Sequence, residues 1–222
     1  MAHQPFWESH YRNPHAPSPF GPPSEELARL VEFLPRSASI LDLGCGDGRH
    51  SLFFSRHGCK VTAIDISTAA INKLSLCAAR ENLNIRAHVA DLRGYEIHGT
   101  FDLIIAHGCL HLVERSEWAR LIAEARAHTQ EHGYNVIVVF TDSLPPPEDL
   151  RPWMKGLFTE GELFGLYSDW RVLTALSYIL EDVHPGGIRH RHPINKIVAQ
   201  RATPEAEGKR SSTQCLSLGI DF

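Results

Sequence analysis

The sequence predicts an α/β fold: a doubly wound sheet of seven strands, mostly parallel, with an antiparallel hairpin at its C-terminal edge. Three observations carry this. Strand-length apolar runs alternate with amphipathic helical stretches from residue 24 to about 200, as βα units covered on both faces require. Ile40-Leu41-Asp42-Leu43 runs straight into Gly44-Cys45-Gly46-Asp47-Gly48, a buried strand entering a three-glycine turn. The last two strand-like runs are joined by a short link containing Pro185-Gly186-Gly187, which fits a hairpin and makes one edge strand antiparallel.

The elements follow in order. Residues 1–23 form a Pro-, His- and aromatic-rich segment, a candidate lid through Trp7 and Tyr11. Ser24 is an N-cap with Glu25 and Glu26 in the first turn, and Pro35 stops the helix that runs to about Phe33. Strands are expected at 39–43, 60–65, 84–90, 101–106, 133–141, 171–180 and 193–200. Helices are expected near 48–57, 67–81, 115–130 and 159–167. Val136-Ile137-Val138-Val139-Phe140 is continuously apolar, as a central strand should be. Residues 24–201 thus form one catalytic-type domain. Periodicity is lost over 202–222, which reads as a disordered tail.

Composition narrows the function. With 222 residues, 43% of them hydrophobic, the chain can bury one ordinary core. A net charge of −4, a pI near 6.4 and the absence of a basic stripe argue against a nucleic-acid partner. No apolar run reaches about 18 residues, so no membrane span is expected. Met1-Ala2-His3-Gln4-Pro5 does not open a basic-then-apolar leader, so the expected location is the cytoplasm. The five cysteines are scattered with no C-x-x-C pair, which fits a reduced compartment and no structural metal. A monomer or homodimer acting on a small molecule is the expected form.

The glycine turn carries the chemistry. Its pattern is G-x-G-x-G rather than G-x-G-x-x-G, and Asp42 and Asp47 beside it would repel a pyrophosphate. Those carboxylates suit a ligand with an ammonium and a sulfonium, as S-adenosylmethionine has. Gly44, Cys45, Gly46 and Gly48 form the cradle. Asp65, at the end of the second strand and about 20 residues on, would grip the ribose hydroxyls, with Ile66 beside it. Asp91 ends the third strand; it either caps a turn or accepts from the adenine amino group, with Leu92 against the ring. Ala106 and His107 end the fourth strand, facing the transferable group. His107, Cys109 and His111 alternate in the loop beyond. They line a substrate cavity or simply pack; a metal would need a further ligand that is not close in sequence. His184, Arg189, His190, Arg191 and His192 make a cationic cluster. In a strand Arg189 and Arg191 share one face and His190 and His192 the other. The cluster is either a solvated sheet edge or an electropositive lip for an anionic substrate.

Asp42-Leu43-Gly44-Cys45-Gly46-Asp47-Gly48-Arg49 with Asp65 resembles the signature of class I S-adenosylmethionine-dependent methyltransferases, whose fold is Rossmann-like. Phe6-Trp7-Glu8-Ser9-His10-Tyr11, Gly133 to Val138, Phe158 to Leu163 and Tyr167-Ser168-Asp169-Trp170 are similar to the tellurite-resistance (TehB-like) methyltransferases, over roughly residues 6–201. The resemblance implies in-line methyl transfer to a small molecule, with tellurite or selenite ahead of thiols, amines, hydroxyls and carboxylates. It implies that His184 and Arg189 match the family's His and Arg and hold the oxyanion. Trp7, Tyr11, Cys109 and His111 are the candidate substrate-binding residues, Trp7 and Tyr11 either as a lid or as packing of the N-terminal segment onto the sheet. The alternative from another class is a non-catalytic S-adenosylmethionine-binding protein. The proline-rich Leu144-Pro145-Pro146-Pro147-Glu148-Asp149 and the histidines of 189–192 depart from the family pattern.

Overall fold

Leu41 and Leu43 turn to one face of the first strand and Ile40 to the other, and all three are buried, so this strand lies inside a sheet covered on both sides. The computed structural model describes residues 6–13, 15–184 and 188–202. The link at 185–187 and the tail from 203 lie outside the described residues.

In chain order the elements are α1 (Phe6–Tyr11), α2 (Glu25–Leu30), β1 (Ser39–Leu43), α3 (Arg49–Arg56), β2 (Lys60–Asp65), α4 (Thr68–Glu81), β3 (Ile85–Val89), β4 (Phe101–His107), α5 (Arg115–Ala127), β5 (Thr129–Phe140), α6 (Glu162–Gly165), β6 (Arg171–His184) and β7 (Ile188–Gln200). They build a seven-stranded sheet in the order β3-β2-β1-β4-β5-β7-β6. The first five strands run parallel, and β7 is antiparallel to both β5 and β6. The hairpin is at the sheet edge, and its reversed strand is β7, one place in; the outermost strand, β6, runs with the parallel set. Burial explains the choice: β7 hides Ile194, Ile197 and Val198, whereas β6 leaves Val172, Leu176 and Leu180 exposed.

Two cores result. Leu41, Leu43, Ile104, Ile137 and Ile197 pack under α5 and α6 with Trp118, Leu121, Leu163 and Tyr167. Ile40, Val61, Ala63, Leu103 and Val136 pack under α2, α3 and α4 with Leu27, Phe54 and Leu74. Each such large side chain stabilises the fold by about 1.5–3 kcal/mol.

Several element lengths differ from the sequence expectation, among them β5, which starts at Thr129 rather than at 133. α5 stops at Ala127, because the Thr129 hydroxyl donates to the Ala125 carbonyl (2.6 Å) and also accepts from the Asn135 amide (2.7 Å), turning the chain into β5. The ladder slips between Phe101 and Leu103 on β4, where His132 takes a φ of 62°. α6 is a single turn, since Gly161 at φ 78° starts it and Gly165 ends it. The hairpin is longer than the expected 171–180 and 193–200. Pairs such as Glu181–Arg191, 3.4 Å apart, and Asp182 opposite His190 carry the ladder past the end of β5. Because β6 is parallel to β5, this extension projects at the carboxyl end of the sheet.

Candidate functional site

β1 lies between β2 and β4, so the chain winds away in opposite directions from it. A crevice opens at the carboxyl ends of β1 and β4, where ligands of such sheets bind. The turn after β1 fills its floor. Gly44 has φ +65°, and a Cβ there would lie 2.4 Å from Cys109 Cβ on the loop after β4. Gly46 has φ +56°, and a Cβ there would stand 2.7 Å from the Tyr11 hydroxyl. Only glycine fits either position.

Asp65 borders this turn. Its Oδ2 accepts from the Gly46 N–H and its Oδ1 from the Ser67 N–H, each at 2.8 Å. Both oxygens keep a further lone pair. Burial raises the Asp65 carboxyl above its usual range, and these two backbone donors oppose the rise. Asp42 is fully buried and accepts from the Ser51 hydroxyl at 2.6 Å; burial pushes it up to about 7. Asp47 is committed otherwise than the sequence implies. It ion-pairs with Lys73 of α4 at 2.8 Å, both side chains buried, and accepts from Ser18 at 2.8 Å. Its charge is thereby neutralised by the protein.

The N-terminal segment closes the crevice from above. The Ser67 hydroxyl donates to Glu8 at 2.6 Å, and Arg49 donates to the carbonyls of Phe20 (2.6 Å) and Pro22 (3.3 Å). Tyr11 is buried against the turn, and burial together with Asp65 and Asp47 pushes its phenol far up, so it stays neutral. The cavity below the segment measures about 510 Å³ and is partly open to solvent. Asp42, Gly44, Cys45, Gly46 and Asp65 line it, with Tyr11 and Cys109 against the turn and Trp7, His107 and His111 on the same wall.

Two of the cavity histidines, His107 and His111, are neutral. Burial depresses His107 to about 3, with the nearby Arg49 guanidinium adding to the effect, and burial depresses His111 to about 3. His111 Nδ1 accepts from the Phe140 N–H at 3.2 Å, which leaves its proton on Nε2, and its ring stacks on Phe140 at 4.1 Å. The Cys109 thiol donates to the Leu43 carbonyl at 3.0 Å and burial pushes its pKa up, so it is no nucleophile. His107, Cys109 and His111 therefore use their polar atoms on separate partners rather than on a shared ion.

The remaining expected residues sit elsewhere. Gly48 caps α3 against Leu74, and Ala106 is buried beneath the turn, paired with Leu43. Leu92 is buried in the core, and Ile66 is exposed at the start of the loop after β2. Asp91 is partly exposed at the end of β3, where Arg93 Nε donates to it at 2.9 Å and holds its carboxyl below the usual range. Arg189 is exposed opposite Val183, on the face turned away from the buried His190 and His192, and does not line the cavity. His184 closes β6, and its side chain lies outside the described residues.

Several cavity residues were missed from sequence. Lys196 of β7 reaches inward and pairs with Glu26 of α2 at 3.0 Å; burial alone would raise Glu26, but Lys196 holds it below its usual range. Arg49 NH2 lies 3.2 Å from His107 Nδ1. Asp182 also faces the cavity, together with His192, which the sequence had placed in the cationic cluster. The signal for Lys196 is a lysine inside the apolar run Ile194-Asn195-Lys196-Ile197-Val198. Glu26 had looked like a helix-dipole residue.

Comparison with known proteins places this geometry. The model of the family described as tellurite resistance protein TehB matches residues 24–184. A protein named Hemagglutinin 1 from Eikenella corrodens is 36% identical over 133 residues, covering 60% of this chain and 44% of that protein. The "Probable S-adenosyl-L-methionine-dependent methyltransferase TehB" of Haemophilus influenzae is 35% identical over 136 residues, covering 60% of this chain and 46% of that protein. The match thus spans less than half the length of either relative. The crystal structure of TehB from Haemophilus influenzae superposes with a TM-score of 0.73 at 27% identity, covering 80% of this chain and 62% of that one.

Proposed function

The chain belongs to the TehB family, and from that premise we propose that it is an S-adenosylmethionine-dependent methyltransferase acting on a small molecule, with tellurite or selenite as acceptor ahead of thiols, amines, hydroxyls and carboxylates. The observation that carries the reading is Asp65. Two backbone N–H groups fix this half-buried carboxylate beside a glycine turn, and it lines the cavity, where a ribose diol would meet its remaining lone pairs. Asp42 is the partner for the ligand's ammonium. Ile66, Leu92 and Asp91 lie toward β3, where the adenine would extend past the ribose. Bound there, S-adenosylmethionine supplies a methyl already activated by its sulfonium.

The chain's part is then to position and to exclude water. Trp7 and Tyr11 act as a lid over the turn. His107 and His111, being neutral, offer lone pairs or N–H groups without competing charge. Lys196 and Arg49 are the cations on the cavity wall, and they are assigned the anionic acceptor. The test is formation of S-adenosylhomocysteine by the purified chain, screened across tellurite, selenite, thiols, amines and phenols. Turnover with at least one acceptor is expected. Cofactor binding with no turnover on any class would leave a binding protein instead.

A further inference from the structure

We infer that Asp182, His190 and His192 form a binding site for a divalent transition cation of the zinc type, at the acceptor end of the cavity. The sheet itself assembles the site. Asp182 of β6 is directly opposite His190 of β7, and His192 lies two residues along β7 on the same face. One donor atom from each residue lies within 4.8 Å of the other two. Ligand bonds of about 2.1 Å place donors roughly 3.4 Å apart around a tetrahedral ion, so closing on one needs only small side-chain rotations.

The surroundings fit an ion rather than a solvated edge. Both imidazoles are buried, at 3% and 2% exposure, although they lie on a hairpin that projects beyond the sheet. His192 stacks on Phe140 at 4.5 Å, and Asp149 Oδ1 stands 3.1 Å from His190 Nε2, close enough to serve as the carboxylate behind a ligating histidine. Asp182 Oδ1 is 3.3 Å from His192 Nε2. Two imidazoles and the Asp182 carboxylate supply nitrogen and oxygen donors of the kind zinc, cobalt and nickel take, and the carboxylate charge of Asp182 and Asp149 is what a divalent cation balances. Asp182 is half-exposed, which gives an ion its way in. Since Asp182 and His192 also line the cavity, the coordination position left by three protein ligands opens toward the acceptor. A thiol or an oxyanion ligated there is held beside the methyl-bearing end. Binding of the ion stands independently of the methyl-transfer reading; its role in holding the acceptor rests on it.

The experiment uses the full chain, freed of metal with a chelator and titrated with Co2+, following the visible d–d absorption and the calorimetric stoichiometry. One equivalent should bind with a ligand-field spectrum typical of nitrogen and oxygen donors, and Zn2+ should bleach it. His190→Ala and His192→Ala should each weaken binding on the order of 100-fold. Asp182→Asn, at a half-exposed position, serves as the variant least able to disturb folding and should weaken it at least about tenfold. Asp65→Ala should leave Co2+ binding intact while weakening S-adenosylhomocysteine, so the two claims fail separately. No Co2+ binding by the wild-type chain, or binding that survives in folded Asp182→Asn and His192→Ala alike, overturns the site and leaves two half-exposed His–Asp contacts.

Discussion

Replacing Asp65 with Ala probes the carboxylate that anchors the proposed ribose site. Each carboxylate oxygen holds one backbone N–H at 2.8 Å and offers one further lone pair to a ribose hydroxyl. Hydrogen bonds to a charged acceptor contribute about 1.5–3 kcal/mol each, and water entering the vacated space returns part of this. A net loss of about 2–4 kcal/mol follows, or roughly 30- to 1000-fold in affinity for S-adenosylhomocysteine. The same change orphans the Gly46 and Ser67 N–H groups, at about 1–3 kcal/mol of stability, so a thermal melt must show that the variant is still folded at the assay temperature. Asp65→Asn keeps one oxygen acceptor and should fall between the two. The assay is calorimetric titration at fixed pH. Unchanged affinity in folded Asp65→Ala would refute the ribose assignment.

Further predictions concern the turn, the histidines and the acceptor wall. Gly44→Ala requires a left-handed φ at about 1–2 kcal/mol and drives a methyl into Cys109 Cβ at 2.4 Å, so its melting temperature should drop by at least about 5 °C; an unchanged melt would contradict the packing. His50, His107 and His111 are depressed by burial to about 2, 3 and 3, so the unfolded chain binds more protons than the folded one below its pKa of about 6.5. Their stabilisation is complete above that pH and is lost as pH falls toward about 3, at about 1.4 kcal/mol per pH unit for each histidine. Asp42, raised to about 7, runs the other way and stabilises less as pH rises through 7. Urea melts should therefore show net destabilisation by acid, with His111→Gln reducing the slope by about one histidine's share. Lys196→Met should cut kcat/KM on an anionic acceptor by on the order of 10- to 100-fold while leaving cofactor affinity within about twofold; equal loss on neutral thiols would remove the anion role.

Much of this architecture is legible in the residues, because local rules and tertiary demands agree there. β1 is read from an apolar run before three glycines, and Asp65 from its distance to them. The parts that were not legible depend on partners far away in sequence. Asp47 looked available until α4 brought Lys73 to it. The Glu26–Lys196 pair joins α2 to β7 and leaves no mark at either position beyond a charge in an inward place. Strand alternation correctly puts Arg189 with Arg191 and His190 with His192. Period two does not say which pair faces inward; His192 stacks on Phe140 and His190 packs on His192, which decides for the histidines. The lengths of α5 and α6 were overestimated for a related reason: Thr129 and Gly161 act through hydrogen bonds and positive φ that helical periodicity does not register.

The most direct measurement is a structure of the chain bound to S-adenosylhomocysteine. The account places both ribose hydroxyls on Asp65, the ammonium at Asp42, and the sulfur toward the end of the cavity formed by His107, His111 and Lys196. A ribose bound away from Asp65, or a sulfur directed out of the cavity and away from these side chains, would contradict it.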